Sequence, residues 1–280
     1  MKRAIQGGLL AARIAVFVLA VLAFNFPLIA TAVTSFKTDA EIGANPSLLI
    51  QQPTWENYRQ IRVIADRFDI LHYLANSVIV ATAGAVLALL LAFPAAYGIV
   101  RSGFGARWLL PGVTNLRAVP LIIFAIPIYL LYQQAGLLDT RLGLALILCL
   151  INLPLSLALL VNAVRDVPVE IEEAARIDGA GVGAILLRVA LPLCASAVAA
   201  ALILGFAYAW NEFLFGLMLT TQRAVPITVG ASFFFAASGG GVQWGVAAAV
   251  MMISVLPPLL LSLAAYRYVG RSLSAGAVKG

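Results

Sequence analysis

Asp166, Glu170, Glu172, Glu173 and Asp178 crowd into one short stretch flanked by long apolar runs. Charges at the centre of a bilayer are costly, so the stretch Val167–Leu193 belongs on one face of a membrane as a structured loop. Its chemistry is that of a docking element. Pro168 suits a first helical position, and Asp166 and Glu170 complement the positive end of a helix dipole. Ala174 and Ala175 make a small-residue spot that Ile171 shares by i, i+3 and i+4 spacing. Gly179, Gly181 and Gly183 then permit a sharp turn before a second short helix, which leads through Pro192 into the next apolar run. A small apolar spot ringed by charge suits a groove on another protein; an amphipathic loop resting on the membrane surface is the plainer alternative.

Other polar groups lie within apolar runs. Arg117 is either a gate or substrate contact, or a structural group paired with a backbone carbonyl or helix end. Glu212 is the one acidic residue of 12 inside a run. With Asn211 it serves either a solute path or a hydrogen bond between helices. Asn152, Asn162, Gln133 and Gln134 offer neutral hydrogen bonds of the kind sugars need, or helix-to-helix contacts. Tyr129, Tyr132, Tyr208, Trp210 and Phe213 offer rings for stacking or for anchoring at the interface. His72, at the start of a run, reads as interfacial. One histidine and two separated cysteines, Cys149 and Cys194, supply neither a nucleophile–base pair nor a metal cluster. No G-x-x-x-x-G-K-[ST] loop is present, so ATP hydrolysis would fall to another chain.

The elements that position these residues are membrane spans. Of 280 residues 62% are hydrophobic and 11% charged, which excludes an ordinary soluble domain. The net charge of +6 is spread beside apolar runs, without the aromatic-laced basic patch that nucleic acid would need. Six spans are expected, over 14–33, 71–100, 108–132, 142–164, 193–219 and 242–269, within one transmembrane domain over 1–280. The first run is too long for a signal peptide, so no cleaved leader is expected. One set of alternate loops holds Lys2, Arg3, Arg13, Arg101, Arg107, Arg165, Arg176, Arg188, Arg267, Arg271 and Lys279. The other holds Lys37, Arg59, Arg62, Arg67, Arg141 and Arg223. The richer set is cytoplasmic by the positive-inside rule, which places both termini and loop 165–192 in the cytoplasm. The triple glycine 239–241 reads as a flexible outer loop.

The charged loop resembles the "EAA" coupling loop of ABC importer permeases. Glu173, Ala174, Ala175, Gly179, Leu191 and Pro192 fall at the motif's spacing, with Val189 where Ile is usual. SFKTDAEI from Ser35, the WENY run from Trp55, Asn76–Ser77, IPIYLLYQQAGLLDTRLGL from Ile126, WNEFLFGLMLT from Trp210 and the ending AGAVKG are similar to the smaller permease of carbohydrate importers of the maltose-transporter type. The departures lie between the fifth and sixth spans and at AAYRYVGRSLS. The resemblance implies an all-α membrane protein with the type I ABC importer permease fold. Its coupling helix would lie between the fourth and fifth spans, with Glu172, Glu173, Ala174, Ala175, Asp178 and Gly179 meeting an ATPase subunit. It implies residence in a bacterial inner membrane among lipid, a homologous second permease, two ATPase subunits that bind ATP and Mg, and a periplasmic substrate-binding protein. No cofactor is expected in this chain and no enzymatic step of its own. Its solute would be a sugar or sugar derivative, with Asn152, Tyr208, Asn211, Glu212, Arg117 and Gln133 as path candidates. The alternatives are an importer of a non-sugar solute or a secondary transporter. Proton coupling would call for mid-membrane carboxylates or histidines, which are scarce here.

Overall fold

A computed structural model describes residues 2–63, 69–234 and 242–276. Arg67, the glycines at 239–241 and the ending 277–280 lie outside the described residues, as do the side chains of Lys2, Arg3, Arg267 and Arg271. Regular structure among the described residues is helical. In order the helices are α1 (Lys2–Ser35), α2 (Asp39–Ala44), α3 (Glu56–Val63), α4 (Ile70–Ser102), α5 (Leu109–Asn115), α6 (Ile122–Ala135) and α7 (Arg141–Arg165). Then follow α8 (Val169–Ile177), α9 (Val182–Ile185), α10 (Leu191–Leu193), α11 (Ala195–Trp210), α12 (Leu214–Leu219), α13 (Ile227–Ser232) and α14 (Trp244–Gly276).

Ala12–Ser35, Ile70–Ser102, Arg141–Arg165 and Trp244–Ala264 are each long and apolar enough to cross a membrane. Two further stretches reach that length only as bent pairs, Leu109–Ala118 with Ile122–Ala135 at 107° and Val182–Leu193 with Ala195–Trp210 at 78°. The stretch 108–132, expected as one span, is therefore not one helix. Val119 before Pro120 is extended, with φ −84° and ψ 126°, as a residue preceding proline prefers. The stretch 193–219 also differs. Its helix is preceded by a π-turn, Leu186–Ala190, and Pro192 cannot donate to the Arg188 carbonyl. Helix α11 ends at its cap Asn211, and helical structure resumes as α12.

Contacts divide the chain into two units, 1–70 with 231–254 and 71–230 with 255–280. In the first unit the polar stretch after α1 is ordered by buried polar groups. Lys37 Nζ donates to the carbonyls of Asn45 and Ser47. The Glu41 carboxylate accepts from the N–H groups of Gln51 and Gln52, which holds it below the usual carboxylate range. Phe36, Trp55 and Tyr58 pack ring against ring.

In the second unit α7 is the central helix and packs against α5, α11 and α12. In lipid, helix association rests on close packing rather than on water exclusion. Gly84 of α4 shows this: a β-carbon there would lie 2.7 Å from Leu148 Cβ. The ends of α4 and α7 and the segment from Ile185 to Cys194 share a core that includes Phe93, Ala96, Leu160, Val164 and Val167. That core is the floor on which α8 rests.

Candidate functional site

The helix expected from the charged loop is α8. It begins after Pro168, and Glu170 and Glu172 stand in its first turn. It ends in a left-handed reversal. Gly179 N–H donates to the Arg176 carbonyl at 3.0 Å and Ala180 N–H to the Ala175 carbonyl at 2.9 Å. This six-to-one, five-to-two pair requires a residue with positive φ, and Gly179 has φ +87°. Gly181 is extended and caps α9, while Gly183 lies inside α9. Of the three glycines, Gly179 is thus the one whose conformation excludes a β-carbon at low cost.

The two adjacent glutamates face opposite ways. Glu173 is exposed together with Ala174 and Asp178, and Ile177 is 87% exposed. Val182, just past the turn, is 65% exposed. Ala175 is half-buried and packs on the core beneath. Glu172 does not join the outer face on which it was expected, for its side chain is 1% exposed. Its Oε1 accepts from Arg101 Nε at 2.9 Å and Nη2 at 2.7 Å, and its Oε2 accepts from Tyr97 Oη at 2.7 Å. Arg101 Nη2 also donates to the Val167 carbonyl at 2.9 Å. Burial alone would push the Glu172 carboxyl up. The hydrogen bonds from Arg101 and Tyr97, with the charges of Arg101 and Arg176, more than offset it and hold the group below its usual range. The carboxylate is ionised at neutral pH and ties α8 to the last turns of α4 by a fork that a lysine would not reproduce.

At the other end of α4 lies a second polar knot. Asp139 adopts φ 53°, tolerable for Asp but rare for most residues. Its carboxylate accepts from the N–H groups of Thr221, Gln222, Arg223 and Ala224 at 3.0–3.2 Å. Burial opposes the charge, but these four donors bring the Asp139 pKa down to about 2. Asn76 Nδ2 donates to the carbonyls of Arg223 and Val225, and Arg141 Nε donates to Asn76 Oδ1. Ser77 Oγ accepts from Ile227 N–H, and His72 Nε2 lies 2.8 Å from the Arg223 carbonyl. The first turns of α4, the junction between α6 and α7 and the one after α12 therefore meet at one end. The α4–α5 turn and α8 meet at the other.

The path candidates do not converge on one site. Arg117 and Tyr208 do come together, with the guanidinium carbon 5.7 Å from the ring centroid. Both line a cavity of about 210 Å³ with Phe124, Ile151, Pro154 and Phe215. Asn152 is buried between α7 and α11, where Nδ2 donates to the Gly205 carbonyl and Oδ1 has no hydrogen-bond partner among the described residues. Asn211 is exposed and bonds the Ala207 carbonyl one turn back. Glu212 accepts from Phe215 and Gly216 N–H groups and caps α12. Its own carbonyl accepts from Thr228 Oγ1. Gln133 is exposed at the end of α6.

Residues 84–275 match the family described as binding-protein-dependent transport system inner membrane component. The chain belongs to that family. It is 34% identical over 260 residues to the trehalose/maltose transport system permease protein MalG of Thermococcus litoralis, covering 91% of each chain. It is 32% identical to the diacetylchitobiose uptake system permease protein NgcG of Streptomyces coelicolor, over 89% of this chain and 82% of the other. A solved bacterial ABC transporter that imports the acidic polysaccharide alginate contains a chain of the same fold. The TM-score is 0.75 at 23% identity, covering 94% of this chain and 96% of that one. This inner membrane component is accordingly a multi-pass membrane protein and a transport subunit. Its Arg101, Tyr97 and Asp139 escape a reading of the sequence. An arginine ending an apolar run looks like any interfacial flank, and neither partner of Glu172 is near it in the chain.

Proposed function

We propose that this chain is one of two homologous permeases of an ATP-driven importer that moves a sugar or sugar derivative into the cytoplasm by alternating access. Family membership supports the importer, and the carbohydrate names of its relatives support the solute class. One of these, 31% identical over 91% of this chain, is the sulfoquinovosyl glycerol permease SmoH of Agrobacterium fabrum. The observation that carries the mechanism is the division of α8. Its outer face presents Glu173, Ala174, Ile177 and Asp178, and its inner face is fixed to α4 through Glu172 and Arg101. A partner that moves the outer face moves α4 with it.

In this reading two ATPase subunits bind ATP and Mg and receive the coupling helices in their grooves. Their closure rocks the spans, and a periplasmic binding protein delivers the sugar to the outer end, where Asp139 holds the loop 221–224. Loop 165–192 and both termini face the cytoplasm of a bacterial inner membrane. The test is co-purification with an ATPase subunit, and uptake by the reconstituted complex of whichever ligand the cognate binding protein carries. A non-sugar ligand there refutes the solute class. Labelling of Ile177→Cys only from outside, in a Cys149→Ala, Cys194→Ala background, refutes the orientation.

A further inference from the structure

The stretch 108–132 breaks near its midpoint, between Ala118 and Ile122. Irregular backbone at membrane depth persists only where protein covers it or water reaches it. A guanidinium at the same depth has the same need, and Arg117 stands at this corner, exposed on this chain. Among the described residues no ion pair involves it; its guanidinium lies against the Tyr208 ring. Across the cavity, Pro154 lies inside α7 and cannot give the Leu150 carbonyl its helical hydrogen bond. Leu150 and Pro154 both line the cavity. One corner therefore gathers a multiple donor, an aromatic face, a backbone acceptor deprived of its helical donor and an otherwise apolar wall.

We propose that Arg117 and Tyr208 form a sugar-contact site in the translocation path of this chain, taking one neutral or anionic sugar ring at a time. A pyranose has an apolar C–H face and a rim of hydroxyls. Tyr208 covers the face, and the Arg117 fork donates to the rim. The cavity, at about 210 Å³, is on the scale of one ring rather than an extended oligosaccharide. Among the described residues no carboxylate lines it, so nothing described there favours a cationic amino sugar. The inference rests on the proposed importer function and adds which residues of this chain touch the solute.

The experiment uses the assembled complex of both permeases, the ATPase subunits and the binding protein in proteoliposomes. Uptake is measured with trehalose, maltose, galacturonate and glucosamine. Arg117→Ala and Tyr208→Ala each raise the KM for the transported sugar about tenfold. Arg117→Lys raises it less than Arg117→Ala, and Tyr208→Phe, which keeps the ring, raises it less than Tyr208→Ala. Leu130→Ala, on the same run but outside the cavity, keeps the wild-type KM. Arg117→Cys and Tyr208→Cys, with Cys149 and Cys194 replaced by alanine, react with a water-soluble methanethiosulfonate, and the transported sugar slows both reactions. Unreactive thiols at both positions would mean that the second permease covers the corner, and the proposal falls. So it does if both react without protection while the KM values stay unchanged. Preference for glucosamine overturns the charge class alone. A wild-type complex that takes up neither these sugars nor the ligand its binding protein carries overturns the importer reading, and this one with it.

Discussion

Replacing Glu172 and replacing Glu173 should break different things. Glu172→Ala removes a carboxylate that accepts three hydrogen bonds and pairs with a guanidinium only 12% exposed. Removing one partner of a buried pair costs roughly 3–5 kcal/mol, because the other charge stays buried and uncompensated. Arg101 keeps the Val167 carbonyl and some water, so the cost should fall near the lower end, about 3 kcal/mol. Glu172→Gln keeps one acceptor but loses the charge-assisted bonds, and should cost about 1.5–2 kcal/mol. Arg101→Ala should resemble Glu172→Ala, and the double variant should cost little more than either. The coupling energy in the cycle is then about 2 kcal/mol. Unfolding of the purified permease by dodecyl sulfate titration in mixed micelles measures it. Glu173→Lys, on the exposed face, should shift that titration by no more than about 0.5 kcal/mol yet weaken ATPase-subunit binding and stop uptake. Additivity of Glu172→Ala and Arg101→Ala within about 0.5 kcal/mol would show that the fork does not hold α8, and normal uptake by Glu173→Lys would remove the docking role.

The knot at Asp139 titrates. The folded pKa of Asp139, about 2, lies below its free value of 3.8. Its contribution is therefore complete above about pH 4 and lost as pH falls through 2, and it amounts to about 2 kcal/mol at most after solvent screening. Asp139→Asn should lose stability at neutral pH and lack that acid-dependent component, as unfolding titrations at stepped pH would show. Gly179→Ala should be partly active and Gly179→Val uncoupled, hydrolysing ATP without uptake. A β-carbon at φ +87° costs on the order of 1 kcal/mol even though no atom of the described residues would lie within 4 Å of it. Gly183→Ala, inside α9, should remain close to wild type in the same uptake assay.

The turn at Gly179 was legible because a helix end, three glycines and a following apolar helix agree on one place. The facing of Glu172 was not. Neighbouring glutamates look alike until the helix is set on its floor, and the partner that decides between them is 71 residues away. Proline was an equally poor guide to the broken third run. Pro27, Pro94, Pro127 and Pro154 all sit inside unbroken helices, because neighbouring helices can satisfy what proline frees, whereas Pro120 ends one. Asp139 shows nothing special in sequence. Its importance comes from a left-handed backbone and four donors that arrive 82–85 residues later. Glu212 stood out as a lone membrane carboxylate, yet its partners are backbone donors of the next short helix, which no charge pattern reveals.

The corner at Arg117 and Pro120 bears on how the chain is made. A nascent segment partitions from the insertion machinery into lipid by its summed transfer energy, and an arginine near its centre adds about 3 kcal/mol against that step. The helix break adds exposed backbone polar groups that lipid cannot satisfy. Segment 108–132 is thus a reluctant inserter by itself. Helix α7, which packs against α5, follows after a short turn and can shelter the corner as it forms. Biogenesis of this permease should then proceed by a helical hairpin rather than by single spans. Glycosylation mapping would show it, with 108–132 alone inserting poorly and 108–165 inserting well.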